Sequence, residues 1–379
     1  MKSGVIVLAV LFFSFVLLAG GCDRAPAPLP VIRIGHAPHD HHAALYVAAM
    51  NPEYFRENGG VFLRQISAKK EYELVGAGQS LARLRITSDE GGIRLIRKLA
   101  EEQLDLSFGG IAAMLSLIDQ GSDLRILAPV MAEGAGFIVA RDMPADSWPS
   151  FVEYVNSRTS AVRIGYKIGV SVQNIIFEAA LREAGIPYAR SADDAGARVV
   201  LVNVHGSENL FTLLENGLID GFVINQPLVA EAEVRGAGRL LAHLRDLPPA
   251  GYWVGTPCCA LAGNEVFVRK HPREVQALLA LLMRANLYIM EDPRRSAVQI
   301  AEWLGIDPEV ENKSLPTILY GNDFDHHWHR GMEHWLDTMI EAGDLRDRVV
   351  AARRAGNLDQ LLYSSATRNL RREEHREKQ

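Results

Sequence analysis

After residue 30 the hydrophobic pattern switches repeatedly between short apolar runs and helical spacing, which predicts strands alternating with amphipathic helices. VIRIG, from Val31, reads as a strand and His42 to Met50 as the helix after it; VFLRQI is a second strand. Ile93, Ile96 and Leu99 recur at helical spacing ahead of the strand LDLSFGG. IAAMLSLIDQG is a helix stopped by glycine before the strand LRILAPVMA. RIGYKIGVSVQNIIFEAALREAGI is a complete strand–loop–helix unit, with Val172, Ile175, Ile176 and Ala179 on one face and Gly185 as the stop. RVVLVNV and LIDGFVIN flank the helix SENLFTLLENG. From His271 to about Ala342 helix follows helix. The stretch 71–92 is less regular and reads as a hairpin or an excursion, and the charged tail after Asp344 as a solvated end, helical and then frayed. The pattern predicts an α/β fold, with no solenoid period.

The first residues break this pattern. Lys2 gives a positive start, and Val5–Ala19 is almost wholly apolar. That run of roughly fifteen residues suits a signal-peptide core better than the ~20 needed to span a bilayer. It ends in Leu18-Ala19-Gly20-Gly21-Cys22, which resembles the bacterial lipobox, so Cys22 is the expected lipidation site; a plain cleaved signal with a chance cysteine is the simpler reading. DRAPAPLP then fits a tether, giving 1–21 as leader and 22–30 as spacer. No later apolar run is long enough to cross a membrane, so the acyl chain alone would hold the protein to the lipid bilayer.

Composition narrows the function. With 48% hydrophobic and 23% charged residues this is an ordinary globular chain with a large core. A net charge of −6 argues against nucleic acid as a partner. Three cysteines exclude a disulfide-stapled scaffold and, with Cys22 set aside, leave the adjacent pair Cys258–Cys259.

Chemistry is expected at strand ends, where helix N-termini converge. His36-Ala37-Pro38-His39-Asp40-His41-His42 follows the first strand, Gly109-Gly110 follows LDLSF, and Gly169-Val170-Ser171 follows RIGYKI, each directly before a helix. Small residues let backbone N–H groups approach a ligand; the plain alternative is a tight turn. The histidines could contact an anionic or heteroaromatic ligand or coordinate a metal, His39 and His42 lying three apart, while Asp40 could simply cap the helix. Cys258–Cys259 could form a vicinal disulfide, bind a soft metal or pack as small apolar residues. Weaker candidates are Glu133 with Gly134-Ala135-Gly136, the amides of Asn225 and Gln226, and Trp253 with Tyr252 as a stacking surface. The second histidine-rich stretch, Asp323 to His329, reads as a surface helix start. No P-loop, His-Glu-x-x-His or Gly-x-Ser-x-Gly motif is present, and neither catalysis nor a cofactor is expected.

Taken in order, IRIGHAPHDHHAALYVAAM, LDLSFGGIAAMLSLIDQGSDLRILA, EGAGFIVARD, RIGYKIGVSVQNIIFEAAL, GLIDGFVINQP and TPCCALAGNEVFVRKHP resemble the nitrate/sulfonate/taurine-type periplasmic solute-binding proteins of ABC transporters over about residues 31–345. The resemblance implies the two-lobed periplasmic-binding-protein fold (type II) with two crossover strands and a helical C-terminal part. Lobe one would comprise 31–140 plus 255–345, lobe two 141–254, with 346–379 as tail. It implies a monomer that hands a small-molecule solute to an ABC permease. The alternatives are an enzyme like the thiamine-pyrimidine synthases of the same superfamily, a periplasmic ligand sensor and a transition-metal capture protein. The solute itself is not specified by the fold.

Overall fold

The computed structural model describes residues 28–190, 196–321 and 323–365; the expected leader and Cys22 lie outside them. Six strands come first: β1 Val31–His36, β2 Val61–Ser67, β3 Glu71–Gly76, β4 Gln79–Ser88, β5 Leu106–Gly110 and β6 Leu124–Glu133. β7 Ala135–Val139, β8 Val162–Tyr166, β9 Tyr188–Ala189, β10 Val199–Asn203, β11 Gly221–Asn225 and β12 Arg239–His243 follow, then β13 Pro257–Asn264 and β14 Ile318–Tyr320. They form two mixed sheets, an eight-stranded one ordered β14-β6-β13-β5-β1-β4-β3-β2 and a six-stranded one ordered β12-β7-β11-β8-β10-β9. Each sheet is the spine of one lobe.

The core follows the sequence pattern. Ile32 and Ile34 of β1 are fully buried, and β1 runs parallel to both β4 and β5. The helix Ile111–Asp119 is buried at every position, as expected of a helix apolar on all sides. It lies between the larger sheet and the helices packed over it. The irregular stretch 71–92 is a hairpin: β3 and β4 pair across Ala77-Gly78, both at positive φ, and β4 continues as the neighbour of β1. The excursion is thus part of the larger sheet.

Two expectations need correction. The strand Ala135–Val139 pairs with β11 and β12 in the smaller sheet, so the chain leaves the larger sheet at Gly134 rather than after residue 140. It returns between His243 and Pro257. The tail is not a solvated end through Ser365. The Asp119 carboxylate accepts backbone N–H bonds from Arg346, Asp347 and Val349, Leu362 and Tyr363 are buried, and the Ser364 N–H donates to the Ile126 carbonyl.

Candidate functional site

The carboxyl ends of β1, β5, β8 and β11 all open on the cleft between the lobes. The lobes are closed on each other in this structure: Gln226 Nε2 donates to Thr317 Oγ1 at 3.1 Å, and Ser207 Oγ donates to Glu90 Oε1 at 3.2 Å. At the histidine loop they leave a cavity of about 30 Å³, the scale of an ion or a water molecule. His39, His41, His42, Gly109 and Gly110 line it from one lobe with Cys258 and Cys259, and Lys167, Val170, Ser171, Gln173 and Asn225 from the other.

The histidine loop divides by role. After His36 the chain turns through a 3₁₀ segment, Asp40–His42, before the helix Ala43–Met50. His36 is tied behind the site, its Nδ1 3.0 Å from the Tyr46 hydroxyl, and burial lowers its pKa to about 4. It is therefore not a cleft contact. Asp40 does not cap the helix; it is fully buried, bonded on Oδ2 to Ser314 Oγ, with Oδ1 left without a partner. His42 Nδ1 accepts the Ala37 N–H at 2.9 Å, which leaves its buried Nε2 unpartnered. His39 Nδ1 is likewise buried and unpartnered, its ring 4.3 Å from that of His42. The spacing pairs these two rings but gives the hydrogen-bonded contact with the cysteines to His41.

His41 Nε2 lies 2.8 Å from the Gly134 carbonyl oxygen, which can only accept, so Nε2 carries the hydrogen. Nδ1 then faces Cys258 Sγ at 3.6 Å and Cys259 Sγ at 3.8 Å. The two thiols are free and 3.9 Å apart, too far for a disulfide. Adjacent residues of a regular strand point to opposite faces, but β13 bulges here: from Pro257 to Cys259 its partner on β6 advances only from Ala132 to Met131. The bulge turns both sulfurs into the cleft. The Cys258 thiol beside it, then His41, hold Cys259 well below the ordinary thiol range, whereas Cys258 is pushed well above it. Burial opposes a charge on His41, but the Cys259 sulfur and Asp40 outweigh it and raise its pKa.

Lys167, at the end of β8, was not among the residues singled out from the sequence. Its signal was a lysine directly before the Ile168-Gly169-Val170 loop on a strand otherwise buried. Its Nζ donates to Asn225 Oδ1 at 3.2 Å, and burial lowers its pKa. Val170 holds φ +53°, a strained value for a β-branched residue, and Ser171 Oγ caps the following helix by accepting the Asn174 N–H. Gly169 instead lines a separate, larger pocket of about 460 Å³ between the lobes, with Asn174 and Arg190 on its own side and Asp119 and Asp344 on the other.

The other candidates are engaged by protein contacts in this structure. Gly109 lines the cavity and also packs closely, since a Cβ there would sit 2.4 Å from Ile96 Cδ1. Glu133 presents no free carboxylate: it pairs with Arg245 and accepts the Gly255 N–H at 3.0 Å, joining both chain crossings. Gln226 spends its amide on Thr317 and the Ala230 N–H. Trp253 packs against Trp335 as a core residue and Tyr252 stacks on His334. Trp253 and Glu133 border an adjoining cavity of about 20 Å³. In the second histidine stretch Asp325 caps its helix by accepting the Trp328 N–H, and His326 and His327 are exposed.

Comparison with known proteins agrees with this architecture. The family model described as NMT1-like matches residues 25–305. An uncharacterized protein of Methanocaldococcus jannaschii is 28% identical over 142 residues, 37% of this chain and 98% of that one. Among solved structures, the fold is shared with a zinc-bound ligand-binding component of an ABC-type import system from Staphylococcus aureus (TM-score 0.67, 15% identity, 89% of this chain and 98% of that one). The nitrate-binding protein of Synechocystis (TM-score 0.65, 14%, 89% and 86%) shares it too. So does the alkanesulfonate-binding protein of Xanthomonas axonopodis pv. citri bound to MOPS (TM-score 0.62, 17%, 89% and 100%).

Proposed function

The chain belongs to the NMT1-like family, and on that premise we propose that it is a solute-binding protein that captures a small ligand outside the cytoplasmic membrane and delivers it to an ABC importer. The observation that carries this reading is the cleft itself. Buried polar atoms from one lobe, His39 Nδ1 and His42 Nε2, lack protein partners and meet Lys167 of the other lobe across a closed interface. Buried polar groups without partners cost stability, so a site that keeps several is built for something that arrives. Neighbours of the same fold described as ligand-binding, nitrate-binding and alkanesulfonate-binding proteins support the same role.

Anchoring is part of the proposal. The small residues before Cys22 fit acylation at that sulfur, and among the described residues no helix is long and apolar enough to cross a membrane. The histidines and cysteines of the cleft serve binding rather than catalysis, and the protein acts as a monomer.

The deciding experiment is native mass spectrometry of protein purified without refolding, with small-angle scattering before and after the bound species is removed. A bound small molecule or ion whose removal expands the particle supports capture by lobe closure. A particle of unchanged dimensions, with nothing bound and no solute producing closure, overturns it. Loss of the chain from the membrane fraction on Cys22→Ser tests the anchor.

A further inference from the structure

We propose that the species captured in this cleft is a thiophilic transition-metal ion, held by His41 Nδ1, Cys258 Sγ and Cys259 Sγ; this rests on the solute-capture reading above and names its cargo. The three atoms come from two segments far apart in sequence and all point into the same buried cavity. Their separations are 3.6, 3.8 and 3.9 Å. A tetrahedral ion with metal–sulfur bonds of ~2.3 Å and metal–nitrogen bonds of ~2.0–2.1 Å requires ligand edges of ~3.8 Å between sulfurs and ~3.6 Å between sulfur and nitrogen. The triangle matches those edges without movement of the backbone.

The donor set selects the class of ion. Two sulfurs and an imidazole suit Zn²⁺ or Cu⁺, whereas Mg²⁺ and Ca²⁺ take oxygen ligands that this cavity does not provide at the triangle. His41 has the support that a metal-bound histidine needs: Nε2 donates to the Gly134 carbonyl, fixing the tautomer with the Nδ1 lone pair toward the sulfurs. The β13 bulge that turns two adjacent cysteines to one side has the same consequence. A cavity of about 30 Å³ admits an ion and a water, and is small for a sulfonate. His39, whose Nδ1 has no partner, and Lys167 line the same cavity, which suits a water or a small anion carried with the ion.

The test uses the full chain, extracted in detergent, reduced and stripped of metal, titrated with Co²⁺ and then with Zn²⁺. One equivalent of Co²⁺ is expected to give thiolate-to-metal charge-transfer absorption and the intense visible bands of a tetrahedral site, both abolished by Zn²⁺. His41→Ala, Cys258→Ser and Cys259→Ser should each weaken Zn²⁺ binding by more than about 100-fold. The double variant His326→Ala/His327→Ala, which removes the exposed Asp325-His326-His327 cluster, should leave it unchanged. In the unaltered protein, Zn²⁺ should protect Cys258 and Cys259 from alkylation, a readout that survives even if a variant fails to fold. Absence of the charge-transfer band, its persistence in both serine variants, or its loss in the His326/His327 variant overturns the proposal. If metal fails to bind while an organic solute co-purifies and closes the lobes, the cargo is wrong and solute capture stands; if neither binds, both fall.

Discussion

The His41 imidazole donates from Nε2 to the Gly134 carbonyl oxygen at 2.8 Å, joining the first strand-end loop to the point where the chain crosses between lobes. Gly134 sits at φ +64°, and a Cβ there would meet His41 Nε2 and Ile318 Cγ1, each at 2.7 Å. The Gly134 carbonyl also accepts the Gln226 N–H of the other lobe at 2.8 Å. The same glycine therefore aims the histidine and ties the lobes.

Gly134→Ala should be damaging for both reasons. The strained φ and the collision with His41 together should cost ~1–3 kcal/mol of stability, and rotation of the imidazole should weaken cleft binding by about 10- to 100-fold. Thermal unfolding and ligand titration of the same variant check the two effects. Normal affinity in a destabilised protein would separate the hinge from the site.

Glu133 gives a second prediction. Its carboxylate is almost wholly buried and ties the outgoing crossing to both ends of the return crossing, through Arg245 and the Gly255 N–H. Arg245→Ala leaves that buried charge with one backbone partner, which should cost ~1–3 kcal/mol, less than a fully buried pair because Arg245 is partly in solvent. Scattering should show a wider distribution of lobe angles than in the unaltered protein. An unchanged melting temperature would mean that water replaces the guanidinium at no cost.

Much of this was legible in the sequence where local pattern decides the outcome. The apolar strands followed by small residues and a helix placed Gly110, Val170, Ser171 and the histidine loop at the cleft, because a strand end and a helix start are short-range events. Which histidine faces inward was not legible, since that depends on the 3₁₀ turn at Asp40–His42. Nor was the shared direction of Cys258 and Cys259, because the bulge arises from pairing β13 with β6. The docked tail was hidden for the same reason: Asp119 gathers three backbone N–H groups from beyond residue 345, a contact that no periodicity records. Lys167 carries no such mark, because a lysine at a strand end reads equally as a solvated edge until Asn225 and the opposite lobe close over it.

Lys167→Met tests the electrostatics of the cleft. Burial lowers the Lys167 pKa, so the unfolded chain holds its proton more firmly than the folded one. The charged form therefore destabilises the fold most at low and neutral pH, and the penalty fades as pH rises toward the lysine's ordinary value. The variant should be at least as stable as the original protein at pH 7, with the difference shrinking in alkali. Affinity for an anion or other hydrogen-bond acceptor in the cleft should fall by about 10- to 100-fold, the worth of a charged hydrogen bond of ~1.5–3 kcal/mol. A variant less stable at neutral pH would show that the bond to Asn225 outweighs desolvation.

Glu311 offers the clearest pH dependence. It is fully buried on the helix Pro308–Ser314, neither carboxylate oxygen has a partner, and burial followed by the nearby Asp40 pushes its pKa up to about 10. Because the folded value lies above the unfolded one, the folded protein binds the extra proton. The stability this confers is complete below the ordinary glutamate value and is lost as pH rises from there toward about 10. Glu311→Gln fixes the neutral form. It should match the original protein near pH 4 and exceed it at pH 7 by ~1–3 kcal/mol, with the gap still widening at pH 9. Urea unfolding of both proteins across that range measures the gap directly, and parallel curves would show that Glu311 is charged in the folded state and satisfied by water.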